Sequence, residues 1–579
     1  MNRIRVVTAV AVAVVTMMSG CALVEPAPHE PSVSRAPMVV PSMAGTIAAS
    51  ATPGAPSPSS SASAETIPVA AFAPKATKKT EPSRFGLQSA IQRNGKIVKT
   101  YKRSRPIDFG MGAEYTTLPG VITFRGNPLR DTGSYGTAEL SAKKFGGSHW
   151  EVPTGEMRKT TGVGAWSGTG WTGQPLLVQW PDDTRRVLKR NSEALKKQGL
   201  VEAIYATMDG HVYFLDAQTG KRTREPVNLG FPFKGAGALD PRGIPIMYVG
   251  SGDNAPGGGA SHVFVISLVD GKKLFEFGAH DSFAQRNWSG MDSSALVDAA
   301  SDTLIYCGEN GIVYTFHLNT KWNAKTGALS IKPDETVKYR YRTSRSSDAR
   351  YWLGIESSPV ILGHYLIAGD NGGNLICLDL NTMKMVWMQN ILDDTNDSPV
   401  VEIGADGKPY VYISTSLHWT AKSGKGTIPV WKIDATTGEK IWQKDYPCDT
   451  VEGVSGGVQA TVALGKNKAA GLVYAAVART PSLSAGRLVA LDTKTGKEKW
   501  AFKTANYAWS SPVVVYDPDG NGYLIYCDSG GTIYLLDALT GKKLDTFNAG
   551  ANIESTPAVF GDRVIVGTRG QRIWGLKLT

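Results

Sequence analysis

Cysteine and histidine are both scarce, five and eight in 579 residues, and neither is arranged for chemistry. No two cysteines are adjacent and no Cys-x-x-Cys-His occurs, which excludes covalent haem attachment and an electron relay through it. The histidines stand singly, with no His-x-x-x-His pair to hold zinc, and no Gly-x-x-x-x-Gly-Lys-Ser/Thr phosphate loop is present. The net charge of +11 is mild for this length, and no recognisable module accompanies it, so nucleic-acid binding is set aside. Long apolar runs are missing as well. The run from Val6 to Val15 is far short of the roughly 20 residues that span a bilayer.

What is plentiful is glycine (64 residues) and tryptophan (14), set in a repeating phrase. Gly531 to Leu544 reads as strand, tight turn and strand, with Asp537 ending the first strand and Gly541 closing the turn. The phrase returns in Gly486 to Trp500, Pro429 to Trp442, Asn374 to Trp387 and His211 to Arg222, with weaker copies from Val263 to Phe275 and Val313 to Leu329. Alternating apolar residues give a half-buried strand. The Asp accepts hydrogen bonds from the turn amides, the Gly supplies a positive φ, and the Trp returns the chain to a packed position. A further strand pair precedes each copy, such as Ser510 to Val515 and Tyr523 to Cys527. Four strands at a spacing of roughly 40–60 residues are the signature of a propeller blade. Seven complete units and a shared one predict an all-β, eight-bladed β-propeller. His149 to Gly155 reads as a lone N-terminal strand that closes the last blade, whose inner strands are Ser555 to Val559, Arg563 to Gly567 and Arg572 to Leu576. Cys307 and Cys527 then fall on strands of well-separated blades, too far apart to bridge; Cys377 lies in a strand and Cys448 reads as a loop residue.

The N-terminal region has a different composition. Arg3 and Arg5, the apolar run and Met18-Ser19-Gly20-Cys21 read as an export signal over 1–21. Small residues before Cys21 resemble the bacterial lipobox, which implies lipidation of that cysteine and anchorage on the outer face of the cell membrane. Residues 22–84 are rich in Ser, Pro, Ala and Thr and read as a disordered tether, with a reach on the order of 150–200 Å. Residues 85–145 read as a lead-in segment packing on the propeller, which takes up 146–579. Within it, Lys96 to Arg105 is a basic run, read as a solvated arm or as a contact for anionic lipid or wall polymer. Asp182 to Gly199 is a short basic helical insertion in the first blade, a decorated loop or a partner contact.

Thr123-Phe124-Arg125-Gly126-Asn127-Pro128 and the Asp…Thr-Gly-Lys…Trp copies resemble the pyrroloquinoline-quinone-like (PQQ-like) propeller repeat family, over roughly Leu118 to Thr579. The resemblance implies a quinoprotein-alcohol-dehydrogenase-like fold. Its dehydrogenases hold the quinone above the channel with a calcium ion bound by Glu, Asn and Asp side chains. The resemblance extends to the lipoprotein members of the family, such as the scaffold propeller of outer-membrane assembly, which is not an enzyme.

Loops entering the innermost strands converge at the channel mouth. They offer Asp292, Glu356, Asn396, Asp397, Trp509 and Glu554, with Arg286, Trp288, Arg350 and Trp352 just upstream. Carboxylates beside Arg and Trp suit a hard cation or a polar ligand. Because the dehydrogenases' vicinal disulfide has no counterpart here, the reading is a non-enzymatic, monomeric, cell-surface lipoprotein without a cofactor, binding a protein or envelope-polymer partner. The alternatives are a calcium-dependent quinoprotein dehydrogenase and a sensor binding a small ligand at the mouth.

Overall fold

The computed structural model describes residues 72–579, except 113, 172, 348–352, 422 and 452–454. Cys21, Arg350 and Trp352 lie outside the described residues. Eight antiparallel sheets follow one another as blades, with innermost strands Leu176–Gln179, Ala238–Leu239, Leu296–Asp298, Val360–Leu362, Val400–Ile403, Ala463–Leu464, Val513–Tyr516 and Ala558–Phe560. Phe145–Pro153 pairs with Arg572–Leu578 as the outer strand of blade eight, so N-terminal and C-terminal strands share one sheet and close the ring.

The repeating phrase works as its residues require. Asp434 accepts from the Thr436 and Thr437 amides, and Asp537 from those of Leu539 and Thr540. The tryptophan of each phrase then docks on the next blade. Trp387 of blade four donates its indole N–H to Ala435 O of blade five (3.0 Å), Trp442 to Thr493 O of blade six (3.0 Å), and Trp500 to Ala538 O of blade seven (3.2 Å). Trp150 of the closing strand does the same to Ala217 O of blade one (3.2 Å). Each ring lies against the turn glycine. At Gly438, with φ +72, a Cβ would come within 2.6 Å of the Trp387 ring, so left-handed backbone and ring contact both demand glycine.

A collar of hydroxyls links the blades near the axis. The Ser294 amide donates to Ser358 Oγ, that of Ser358 to Ser398 Oγ, that of Ser398 to Thr461 Oγ1 and that of Thr461 to Ser511 Oγ, all at 2.9–3.0 Å.

The lead-in segment does more than pack on the outside: residues 119–138 fill the channel. The backbone carbonyls of Pro119, Ile122, Pro128 and Leu129 accept from the amides of Gln179, Leu239, Ile361 and Val401, and Ser134–Tyr135 runs parallel to Val559–Phe560. At the loop's tip Arg125 and Arg130 are almost wholly buried. Arg125 donates to Arg130 O and Pro512 O, and Arg130 to Phe124 O, Ser294 O and Pro359 O, at 2.8–3.0 Å.

Several expectations are revised. The tether's assigned end at residue 84 is too late, because Phe72–Arg84 is seated on blades four and five: Thr77 Oγ1 donates to Glu439 (2.7 Å), Thr80 Oγ1 to Thr437 O (2.6 Å), and Phe72 meets Tyr365 edge-on. The basic run is not a solvated arm throughout. Gln88–Arg93 and Lys96–Val98 extend blade three outward, and Tyr101 and Arg103 are buried, with Arg103 donating to Thr315 and Leu380 O. The copy at Val313 to Leu329 is interrupted: Lys321–Asn323 and Ala328–Ser330 form a separate hairpin, and the outer strand is Glu335–Arg342. Cys448 lies in strand Lys440–Thr450, not in a loop.

Trp387→Ala removes a fully buried ring and an inter-blade hydrogen bond, and is expected to lower unfolding free energy by about 3–5 kcal/mol in a denaturant titration. Arg130→Met deprives three backbone carbonyls of their donor; the loss exceeds the recovered desolvation, and the same titration is expected to show about 3 kcal/mol or more.

Candidate functional site

Two kinds of loop meet at one end of the channel, above the Arg125–Arg130 floor. Connections from each outer strand to the next inner strand bring Lys234, Asp292, Glu356, Asp394, Asn396, Trp509 and Glu554. Hairpins between second and third strands bring Asp253, Glu309, Asn371, Arg479 and Arg569. Glycines make room: a Cβ at Gly290 or Gly252 would collide with the carboxylates of Glu309 and Asp292.

On one side of the mouth the polar groups hold one another. Trp288 Nε1 donates to Glu309 Oε2 at 3.0 Å, and Arg286 Nη1 lies 3.7 Å from Glu309 Oε1 and 3.4 Å from Asn371 Oδ1. Asn371 Nδ2 donates to Asp394 Oδ1 at 2.9 Å, and Asn396 Nδ2 to Glu356 Oε2 at 2.8 Å. Burial raises Asp292 to about 7, aided by Glu309 and Asp253 and opposed by Lys234. Burial likewise raises Asp394 to about 7, against the hydrogen bond from Asn371, and lifts Glu356 well above the usual carboxylate range. Burial thus favours the protonated forms of Asp292, Asp394 and Glu356.

The other side is aromatic and cationic. Trp166 donates to Asp253 Oδ2 at 2.8 Å, and Lys159 and Lys234 place their ammonium groups 4.3 and 4.4 Å from its ring centre. Trp171 and Trp509 meet at 5.3 Å, Tyr507 lies 5.2 Å from Trp509, and the Arg479 guanidinium is 4.1 Å from the Tyr507 ring centre. Among the described residues the buried indole nitrogens of Trp171 and Trp509 have no acceptor, and Asp292 Oδ1 has no donor.

Of the expected residues, the structure gathers Arg286, Trp288, Asp292, Glu356 and Asn396 into the acidic side and puts Trp509 on the aromatic side. Glu554 sits with Asn552 (2.8 Å) and Arg569 (3.8 Å). Asp397 is set apart: it is fully buried and its Oδ2 accepts from the Ser414 amide at 2.9 Å, so it braces an inner strand instead of facing the mouth. Sequence reasoning missed Lys234, Asp253, Glu309, Asn371 and Asp394. A usable signal was the recurring hairpin Glu309-Asn310-Gly311 and Asp370-Asn371-Gly372. It also missed Gly453-Val454-Ser455-Gly456-Gly457, which spells a hydrolase-type Gly-x-Ser-x-Gly. Ser455 Oγ lies 3.3 Å from His418 Nδ1, but Asp394 Oδ2 lies 3.7 Å from that same nitrogen. A proton relay needs the two partners on opposite ring nitrogens, and Gly456–Gly457 is strand, not a strand-to-helix elbow.

Among the described residues no three His, Cys, Asp or Glu side chains converge to hold a metal; Glu356 and Asn396 bind each other, and Asp397 accepts from the Ser414 amide.

A family model described as outer membrane protein assembly factor BamB, of PQQ-like repeats, matches residues 353–506 and 484–579. The matched residues take up the C-terminal blades, which are thus similar to PQQ-like repeats. BamB from Kangiella koreensis is 27% identical over 219 residues, which are 37% of this chain and 48% of that protein, so the chain spans about half the length of this curated relative. In fold it is similar to the quinohemoprotein alcohol dehydrogenase of Comamonas testosteroni, with a TM-score of 0.51 and 15% identity over 80% of this chain and 81% of that one. The dehydrogenase ADHIIG of Pseudomonas putida HK5 matches with a TM-score of 0.50 and 12% identity, over 79% of this chain and 80% of that one.

Asp292 and Asp394 hold protons in the folded state that the unfolded chain, with ordinary values near 3.8, releases. Stability therefore falls as pH rises from about 4 to 7 and levels off above it. Asp292→Asn is expected to raise the melting temperature at pH 8 and leave it nearly unchanged at pH 4, as differential scanning calorimetry at the two pH values would show.

Proposed function

We propose that this PQQ-like propeller is a non-enzymatic, exported binding protein whose mouth receives a protein partner or a cell-envelope polymer. The observation that carries this reading is the commitment of the mouth's acids to donors of the protein itself, Glu309 to Trp288, Asp394 to Asn371 and Glu356 to Asn396. Such pairing builds a fixed polar surface instead of a cage around a cofactor. The aromatic side and the hairpin Glu156–Arg158/Ala165–Ser167 beside it add contact area, with Val163 at the tip almost completely exposed. Similarity to a BamB, named as an outer membrane protein assembly factor, supports a scaffold role in the envelope. The export signal and Cys21 fit anchorage of the chain at the outer face of a bacterial cell membrane.

A photo-crosslinking residue at Val163 is expected to trap a partner in the source cells, whereas one at Leu539, in a turn at the opposite end of the channel, is not. Calorimetry with calcium and pyrroloquinoline quinone, together and apart, is expected to give no heat. Tight binding of the pair, lost in Glu356→Ala and Asn396→Ala, would replace the scaffold reading with a quinoprotein dehydrogenase.

A further inference from the structure

The basic insertion of blade one does not reach the mouth. Its helices, Asp182–Val187 and Ser192–Lys196, lie at the other end of the blade, between its first and second strands. The linker between them is pinned on both sides: the Lys189 amide donates to Val269 O of blade two (3.2 Å) and that of Asn191 to Thr223 O of blade one (2.9 Å). Linker, blade one and the Val269–Gly271 turn enclose an open cleft of about 360 Å³ lined by Lys189, Arg190, Arg222 and Arg224, with Phe214 and Val227 as its apolar part.

Beneath it lies Glu202, wholly buried. It accepts from Arg190 Nη2 and Arg224 Nη2, both at 2.9 Å, and from Trp180 Nε1 at 3.0 Å. Burial alone would raise its pKa, but Arg224 and Arg190 bring it down to about 2, so it is ionised. Two guanidiniums on one carboxylate leave a positive charge over. They also leave nitrogens over: among the described residues Arg190, with no exposed side-chain surface, has no acceptor for Nε or Nη1, and Arg224, whose Nη1 donates to Leu268 O, has none for Nε. Unpaired donors on a buried cation are costly. At the lip, Arg222 is half exposed and 3.6 Å from the exposed Glu225, Lys189 is exposed, and Asp270 is engaged by Lys272 at 3.2 Å. The acids of the cleft are thus outnumbered by its bases and already paired.

We propose that this cleft is a binding site for a phosphate-type oxyanion, a free phosphate or the phosphodiester of a lipid headgroup or polymer. Arginine forks match such oxygens in pairs, and a tetrahedral anion presents enough acceptors to serve Arg190 and Arg224 at once while Lys189 and Arg222 hold it from outside. The site is independent of the mouth and of the function proposed for it.

The full chain is titrated calorimetrically with inorganic phosphate, with glycerophosphoglycerol as the diester, and with acetate. Saturable binding of one phosphate probe is expected, with Kd on the order of 0.1–1 mM, and weaker binding of acetate. Preference for inorganic phosphate identifies a free anion; preference for the diester identifies a headgroup or polymer. Arg224→Gln is expected to abolish binding. Because that variant disturbs a buried network, the exposed pair Lys189→Ala/Arg222→Ala serves as the second test: about tenfold weaker binding at an unchanged melting temperature, with Lys494→Ala/Lys542→Ala, in exposed turns of blades six and seven, unchanged. No saturation by either phosphate probe up to about 10 mM, or equal weakening in both double variants, overturns the proposal.

Discussion

The innermost strands of a propeller are edges. Their inward N–H and C=O groups face the axis, and once buried there each must find a partner or cost about 1–3 kcal/mol. Here one segment of the chain supplies the partners. Residues 119–138 give backbone carbonyls to the amides of blades one, two, four and five, and a short parallel pairing to blade eight. Arg125 and Arg130 add side-chain donors to carbonyls of blades three, four and seven. Burial lowers Arg125 to about 10, against the nearby Asp131 carboxylate, and Arg130 to about 9, which still leaves both charged at neutral pH. A planar cation with five donors is suited to a place where several carbonyls converge. The consequence for shape is direct: the mouth has a floor, so it is a dish and not a passage along the axis.

The ring's closure and its repeat were legible from local pattern. Strand, Asp turn, glycine and tryptophan form a unit within fifteen or so residues, and a lone strand at His149 to Gly155 has only one open edge to fill. The role of Phe124-Arg125-Gly126-Asn127 was not legible in physical terms. Its partners, Pro359 O and Pro512 O, lie hundreds of residues away, and nothing local distinguishes a buried arginine satisfied by carbonyls from a solvated one. The same blindness misjudged Tyr101 and Arg103, whose burial depends on blades three and four meeting around them. Thr77 and Thr80 sit in a stretch whose composition matches the tether before it, yet Glu439 and Thr437 hold them.

The candidate site shows the same division. Outer-to-inner loops were traceable because a Ser-Pro or Ser-Ser step marks their ends, and Asp292, Glu356 and Asn396 were found that way. Glu309 completes the network from a second-to-third-strand hairpin without that mark, Asp394 lies farther back in the marked loop than the residue next to its Ser-Pro step, and Asp397 carried the right chemistry but is engaged by Ser414. The two neighbours alternate in role: Asn396 donates to Glu356 at the mouth, while Asp397 accepts from the Ser414 amide.

That alternation also explains how a symmetric ring acquires a specific surface. The hydroxyl collar Ser294, Ser358, Ser398, Thr461 and Ser511 repeats nearly unchanged, and its inter-blade bonds fix where each loop leaves the sheet. The positions just upstream do not repeat: Asp292, Glu356, Asn396 and Trp509 differ in charge, size and polarity. A rigid repeated layer thus holds a variable one at set spacings, as loops on a scaffold do. The variable layer is divided, hydrogen-bonded acids on one side and indole rings with cations on the other, so under the proposed function a partner meets one polar flank and one aromatic flank, as a polypeptide segment or a sugar chain can.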